Sequence, residues 1–115
     1  MGTKRERAVA DIERLISAVD RCEAQLQAAR CAYGSTLARL GTGETVRTAL
    51  AEVGAPEMRL AITAAMADLE TARKRSRISL MVLDIDEGSP VTAVARTWGV
   101  SHQLVSRYVQ GDDGR

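Results

Sequence analysis

Apolar or small residues recur in the first part of the chain at steps that alternate between three and four. They are Ile12, Leu15, Val19, Cys22, Leu26, Ala29, Tyr33 and Leu40, with Thr36 in the remaining place. Such a heptad seam is typical of a helix that pairs with another helix along one side. We therefore predict one long helix from about Lys4 to Leu40, with a coiled-coil-like seam through which two copies of the chain form a dimer.

Two glycine-containing breaks follow, at 41–43 and 54–56, and a short helix is expected between them at 44–53. Pro56 is suited to the first turn of the next helix, because a helix needs no backbone N–H from that position. A second long helix is predicted from Glu57 to at least Arg77. Its apolar positions again alternate four and three: Met58, Ile62, Ala65, Leu69 and Ala72.

The stretch from Ile78 to Ile85 is apolar nearly all round, which indicates burial on several sides. We expect it to form the first helix of a carboxyl-terminal domain. The acidic residues Asp84, Asp86 and Glu87 crowd its carboxyl end, where negative charge opposes the helix dipole.

The residues that follow, from Ser89 to Val109, predict two short helices joined by a tight turn. Ala95 is small enough for a close helix crossing, and Gly99 fits a turn that needs a positive φ. Ser101 can cap the second helix, which we expect at 101–109. The apolar contacts of this motif are expected from Val94, Trp98, Val100, Val105 and Tyr108.

The motif resembles two families of DNA-binding proteins over residues 78–109. Its short segments Val94-Ala95, Gly99-Val100-Ser101 and Val105-Ser106-Arg107 are similar to the headpiece of lactose-repressor-type transcription factors. The longer arrangement, with an apolar helix at 78–85 and then Asp86-Glu87-Gly88-Ser89-Pro90, looks like the trihelical DNA-binding domain of resolvases and invertases. The resemblance implies a helix-turn-helix that binds DNA sequence-specifically through its second helix.

The second helix would then present four polar residues to the major groove: His102, Gln103, Ser106 and Arg107. Arginine can form a bidentate pair with guanine, and glutamine can form one with adenine. The alternative is that Gln103 and Arg107 are ordinary exposed helix residues. For His102, the alternatives to base contact are capping the helix or touching a phosphate.

A basic run precedes the motif and could follow the DNA backbone. The expected backbone contacts are Arg73, Lys74, Arg75, Arg77 and Ser101. Phosphate contacts of this kind add affinity that depends on salt and not on base sequence. The alternative is that the run is a solvated helix face.

Composition narrows the class of protein. The chain has 115 residues, 16 Lys and Arg against 15 Asp and Glu, and a net charge of +1. The chain as a whole is therefore not a polybasic protein that wraps nucleic acid. The clear surplus of basic over acidic residues lies between Thr71 and Gln110. With one His, two Cys and no glycine-rich phosphate loop, we expect no enzyme, no cofactor and no metal site.

Cys22 is expected to pack as a small apolar residue and Cys31 to be an exposed thiol. No membrane span or signal core is visible, so a cytoplasmic protein is expected.

The sequence thus predicts an all-α protein in three parts: a helical dimerisation region at 1–70, a helix-turn-helix domain at 71–110 and a disordered tail at 111–115. Its expected partners are double-stranded DNA and a second copy of the chain. The leading function is a small dimeric transcriptional regulator. A plasmid-partition, phage-packaging or recombination accessory DNA-binding protein shares the same architecture. A helical protein–protein adaptor without DNA binding is the alternative from a different class.

Overall fold

The computed structural model describes residues 3–111, which contain five α-helices and no strand. The predicted all-α class is confirmed. The helices are α1 (Lys4–Gly41), α2 (Val46–Glu52), α3 (Ala55–Asp86), α4 (Val91–Trp98) and α5 (His102–Gln110). None of these described helices combines the length and the apolar character needed to span a bilayer. Gly111 forms the carboxyl-terminal cap of α5, and the rest of the predicted tail lies outside the described residues.

The long helix α1 follows its prediction closely and begins at a capping box. The Thr3 hydroxyl accepts a hydrogen bond from the Glu6 backbone N–H at 3.0 Å, and the Thr3 backbone N–H donates to Glu6 Oε1 at 2.9 Å. The bonds from the Thr3 backbone and side chain lower the pKa of the Glu6 carboxyl below its ordinary value. The capping box thereby satisfies two of the orphan backbone N–H groups at the start of α1.

The helix α3 is one continuous element where the sequence indicated a long helix and then a separate one from Ile78. The prediction of a separate helix was wrong. The chain has no glycine or proline near Arg77 and Ile78 that would end a helix, and α3 continues through both residues. The expected burial of the apolar stretch is confirmed, since Ile78, Met81 and Val82 are all buried.

The described residues divide into two compact units. The hairpin unit contains residues 16–70, and the α4–α5 unit contains residues 3–15 together with 71–111. Residues 3–15 therefore lie in the same unit as α4 and α5, whereas the predicted dimerisation region groups them with residues 16–70. Each unit has its own packing and is described separately.

In the hairpin unit, α1 and α3 run antiparallel, and the Arg21 guanidinium pairs with the Asp68 carboxylate at 2.5 Å. The side chains buried along α1 are small: Ala18, Cys22 and Ala29. Cys22 packs as expected, and Cys31 is exposed. Only part of the predicted seam faces inward. Four of its larger members remain exposed: Val19, Leu26, Tyr33 and Leu40.

The α4–α5 unit is built around Met81 of α3, which is fully buried. Met81 clusters with Val94 and Ala95 of α4 and with Val105 of α5. Half-buried side chains pack around this cluster: Ile85, Val91, Val100, Tyr108 and Val109. Both short helices therefore pack on one side of the carboxyl-terminal part of α3.

Residues 4–15, the first part of α1, contact α3 within this unit through polar groups. Asp11 is only 2% exposed, accepts a hydrogen bond from the Ser79 hydroxyl, and pairs with Arg14 at 3.0 Å. At the end of α3, Asp86 pairs with Lys4 at 3.2 Å, and Glu87 pairs with Arg5. These contacts give the acidic end of α3 a physical reason, because cations offset the unfavourable interaction with the helix dipole.

Two glycines in different backbone conformations predict opposite effects of the same substitution. Gly99 has a φ of 67°, and a Cβ there meets no atom within 4 Å. Gly99→Ala should lower the free energy of unfolding by about 1 to 2 kcal/mol, the cost of a left-handed L-residue. Gly34 lies inside α1 with equal space around it. Gly34→Ala should raise the free energy of unfolding by about 0.5 to 1 kcal/mol. Urea denaturation measures both, and shifts in the same direction would contradict the backbone argument.

Candidate nucleic-acid interface

The turn between α4 and α5 has the geometry that its sequence predicts. Gly99 adopts a left-handed conformation with φ 67° and ψ 35°, and the Val100 N–H donates to the Ala95 carbonyl at 3.0 Å. Ala95 is buried beside the turn. The Ser101 hydroxyl accepts a hydrogen bond from the Leu104 N–H at 3.1 Å and so caps α5. The direction of α5 relative to α4 is therefore fixed by local chemistry together with the Met81 cluster.

The predicted base-contacting residues lie on the side of α5 that faces away from the core. His102, Gln103 and Arg107 are exposed, and Ser106 is half-buried. Val105, on the opposite side, is fully buried in the Met81 cluster. A polar row is thus carried by a helix whose apolar row is anchored, which is the arrangement that a recognition helix needs.

One exposed polar residue of this face was missed by sequence reasoning. Gln110 is exposed and lies three residues after Arg107 and seven after Gln103, so it falls on the same side of α5. The spacing alone could have identified it, since the sequence prediction ended the helix at Val109 and α5 continues to Gln110.

Two of the predicted backbone-contacting residues are brought together with Arg107. Lys74 and Arg75 line a shallow surface pocket with Arg107 and Tyr108, and the lining is completed by Thr71, Ile78 and Gly111. This basic pocket contains three cationic side chains and no acidic one. An anionic group would therefore meet an attractive field at the carboxyl-terminal end of α5.

The other backbone candidates are placed differently. Arg77 is half-buried, and its guanidinium lies 5.6 Å from the centre of the Tyr108 ring. Within the part of the chain that the structure describes, its buried Nε has no hydrogen-bond partner. Arg73 is exposed and does not line the basic pocket, and the Ser101 hydroxyl is engaged as the cap of α5. Arg77 thus supports the ring of Tyr108, with Lys74 Nζ 5.9 Å from the same ring centre.

Trp98 is a correction to the expected core. We expected it among the apolar contacts of the motif, but Trp98 is 37% exposed and is the last residue of α4. Its spacing from Val94 matches the apolar row, yet α4 ends there and the Met81 cluster does not reach that far. An aromatic ring is therefore partly accessible beside the Gly99 turn.

The Arg77 contact predicts a change in stability. Arg77→Ala should lower the free energy of unfolding by about 1 kcal/mol, because it removes a half-buried cation from the Tyr108 ring. Arg96→Ala is the matched control, since Arg96 is an exposed arginine of the same unit. It should change stability by less than about 0.5 kcal/mol. Denaturant titration of both variants checks this, and equal effects would contradict a packing role for Arg77.

Comparison with known proteins leaves the site to be interpreted from its own geometry. No protein-family model, curated protein or solved structure matches this chain. The candidate interface is accordingly defined by the exposed face of α5, the basic pocket at its end and the turn that orients both.

Proposed function

We propose that this chain is a sequence-specific DNA-binding protein, a small dimeric transcriptional regulator that reads the major groove with α5. In this proposal, residues 71–110 act as a trihelical helix-turn-helix domain, and the exposed positions of the coiled-coil-like seam in α1 pair two copies. The observation that carries the proposal is the exposed polar row of α5, held by a left-handed glycine turn and a buried alanine. No cofactor is required, and the expected location is the cytoplasm.

The side chains of α5 have the chemistry for direct readout. Arg107 and Gln103 carry donor groups that can pair with guanine and adenine edges, respectively. His102 and Ser106 complete the proposed base-contacting set. Gln110, exposed on the same face, extends the row toward the end of α5.

The basic pocket supplies the proposed backbone contact. Lys74 and Arg75 lie beside Arg107, so a helix that enters the groove can place a phosphate near two further cations. Arg73 and Ser101 remain candidates at the edges of this surface. Arg77 acts in this proposal by supporting Tyr108 and not by contacting phosphate directly.

We expect dimerisation because the proposed DNA-binding domain is small. One recognition helix contacts only a few base pairs, so two linked copies on adjacent half-sites gain affinity and specificity together. A plasmid-partition, phage-packaging or recombination accessory protein would use the same contact with DNA. These roles differ in which partner the amino-terminal helices bind.

A helical protein–protein adaptor is the second candidate, and the exposed apolar residues of α1 favour it. A salt titration separates the two classes. DNA binding that weakens steeply as the salt concentration rises supports the DNA-binding protein, because each neutralised phosphate releases counterions. Absence of DNA binding at low salt supports the adaptor.

Two substitutions at the proposed interface should have different effects on DNA binding. After a bound sequence is selected from a random pool, Arg107→Ala should lose about 1 to 3 kcal/mol of discrimination at one base position. Lys74→Ala should weaken selected and scrambled DNA alike and reduce the slope of affinity against salt by about 1. Fluorescence anisotropy at several salt concentrations measures both effects.

The charge control for this experiment is Arg47→Ala, because Arg47 is an exposed arginine of the hairpin unit. It should leave affinity and discrimination unchanged. If Arg107→Ala and Lys74→Ala cause equal losses on selected and scrambled DNA, the assignment of Arg107 to base contact is wrong. If Arg47→Ala weakens binding as much as Lys74→Ala, attraction is general and the basic pocket has no special role.

A further inference from the structure

Large apolar side chains remain exposed along one side of α1 in the hairpin unit. They are Ile16, Val19, Leu26, Tyr33, Leu37 and Leu40. Their positions alternate three and four when Glu23 and Arg30 fill the two remaining places, and these eight residues are called the α1 stripe. Tyr33 is 59% exposed and Leu37 is 74% exposed. Apolar residues scattered singly on a surface are ordinary, but a heptad row of them indicates an interface.

The α1 stripe is distinct from the side of α1 that packs inside the hairpin unit. The buried row contains Ala18, and Val19 of the stripe follows it by one residue, which is a rotation of about 100° around the helix. Two contact sides at roughly a right angle are typical of a helix in a four-helix bundle. One of these sides is used within the chain, and the other is open.

We propose that the α1 stripe is covered by the α1 stripe of a second copy, in antiparallel orientation. This inference deepens the dimer of the proposed function, on which it rests, and it does not depend on DNA binding. One antiparallel register pairs every position of the stripe with another stripe position. Its layers are Ile16 with Leu40, Val19 with Leu37, Glu23 with Tyr33, and Leu26 with Arg30. Each layer occurs twice, as a two-fold axis requires.

The two charged residues of the stripe determine the orientation. The side chains of Glu23 and Arg30 have no hydrogen bond or ion pair in the part of the chain that the structure describes, and both border Leu26 in one surface depression. In the antiparallel register, Glu23 of one copy and Arg30 of the other are offset by three residues, about 4.5 Å along the axis. Their side chains can therefore pair, twice, at the centre of the interface.

A parallel pair would oppose the same charges. Glu23 would face Glu23 of the second copy, and Arg30 would face Arg30, inside an otherwise apolar seam. Like charges directly opposed at an interface disfavour association strongly. The charge pattern thus selects the antiparallel arrangement, in which opposite charges meet without any change of register.

Charge exchange with sedimentation analysis tests the partner and the orientation together, without DNA. The wild-type protein should be dimeric at micromolar concentration. Glu23→Arg and Arg30→Glu should each weaken the dimer at least about tenfold, because each places like charges at the centre. The double variant Glu23→Arg with Arg30→Glu should restore it. Ala28→Arg, on the opposite side of α1, should leave the dimer unchanged, and circular dichroism should show that every variant is folded.

Several outcomes would overturn the proposal. A monomeric wild-type protein excludes a second copy as the partner. A dimer that survives both single exchanges excludes the pairing of Glu23 with Arg30, because in a parallel dimer each exchange only replaces one like-charge pair with another. A double variant that stays dissociated, although folded, excludes the charge complementarity.

Disulfide trapping tests the orientation independently, in a Cys22→Ala and Cys31→Ser background. When a Val19→Cys protein and a Leu37→Cys protein are mixed and oxidised, the antiparallel register predicts a mixed dimer. Rapid cross-linking of the Leu37→Cys protein with itself would indicate a parallel pair and overturn the inference. A dimer that binds no DNA would refute the proposed DNA binding and leave this inference intact. A monomer that still binds DNA would refute this inference and the dimer of the proposed function, and leave the proposed DNA contact intact.

Discussion

The packing of Met81 against Val94 and Val105 is the interaction on which the candidate interface depends. Met81 belongs to α3, and the other two side chains belong to α4 and α5, so one fully buried contact set joins three helices. A helix of nine residues is marginal by itself in water. The outward row of α5 is ordered only because its inward row is anchored. The Gly99 turn and the Ser101 cap then set where α5 begins.

Local chemistry made much of this unit predictable from sequence. Ala95, Gly99 and Ser101 each have a role that depends on a few neighbouring residues, and the structure places each in that role. Trp98 was misjudged because periodicity does not reveal where a helix leaves its core. Arg77 was grouped with its basic neighbours because charge does not reveal which guanidinium lies over Tyr108. The buried pair of Asp11 and Ser79 joins segments 68 residues apart, and no local pattern marks it.

The heptad seam shows a different limit of sequence reasoning. Cys22 and Ala29 belong to the predicted seam and are buried within the chain, whereas Leu26 and Tyr33 belong to the same seam and are exposed. The hydrophobic repeat is therefore shared between two sides of α1 that face different neighbours. Spacing identifies a helix that packs on something, but it does not separate a contact within the chain from a contact with another molecule. The positions of the buried alanines in the structure distinguish the side of α1 that packs within the chain from the exposed side.

The buried residues of α1 are small, and this explains why the exposed α1 stripe matters for the stability of the hairpin unit. Ala18 and Ala29 let α1 and α3 approach closely, but each removes little apolar surface from water, and burial of apolar surface is the main favourable term in folding. Large apolar side chains of the α1 stripe, such as Leu37 and Tyr33, contribute little while they are exposed. A second copy that covers them would supply apolar burial that the hairpin interior lacks. Folding of the hairpin unit and its self-association are therefore expected to be coupled, so that stability increases with protein concentration.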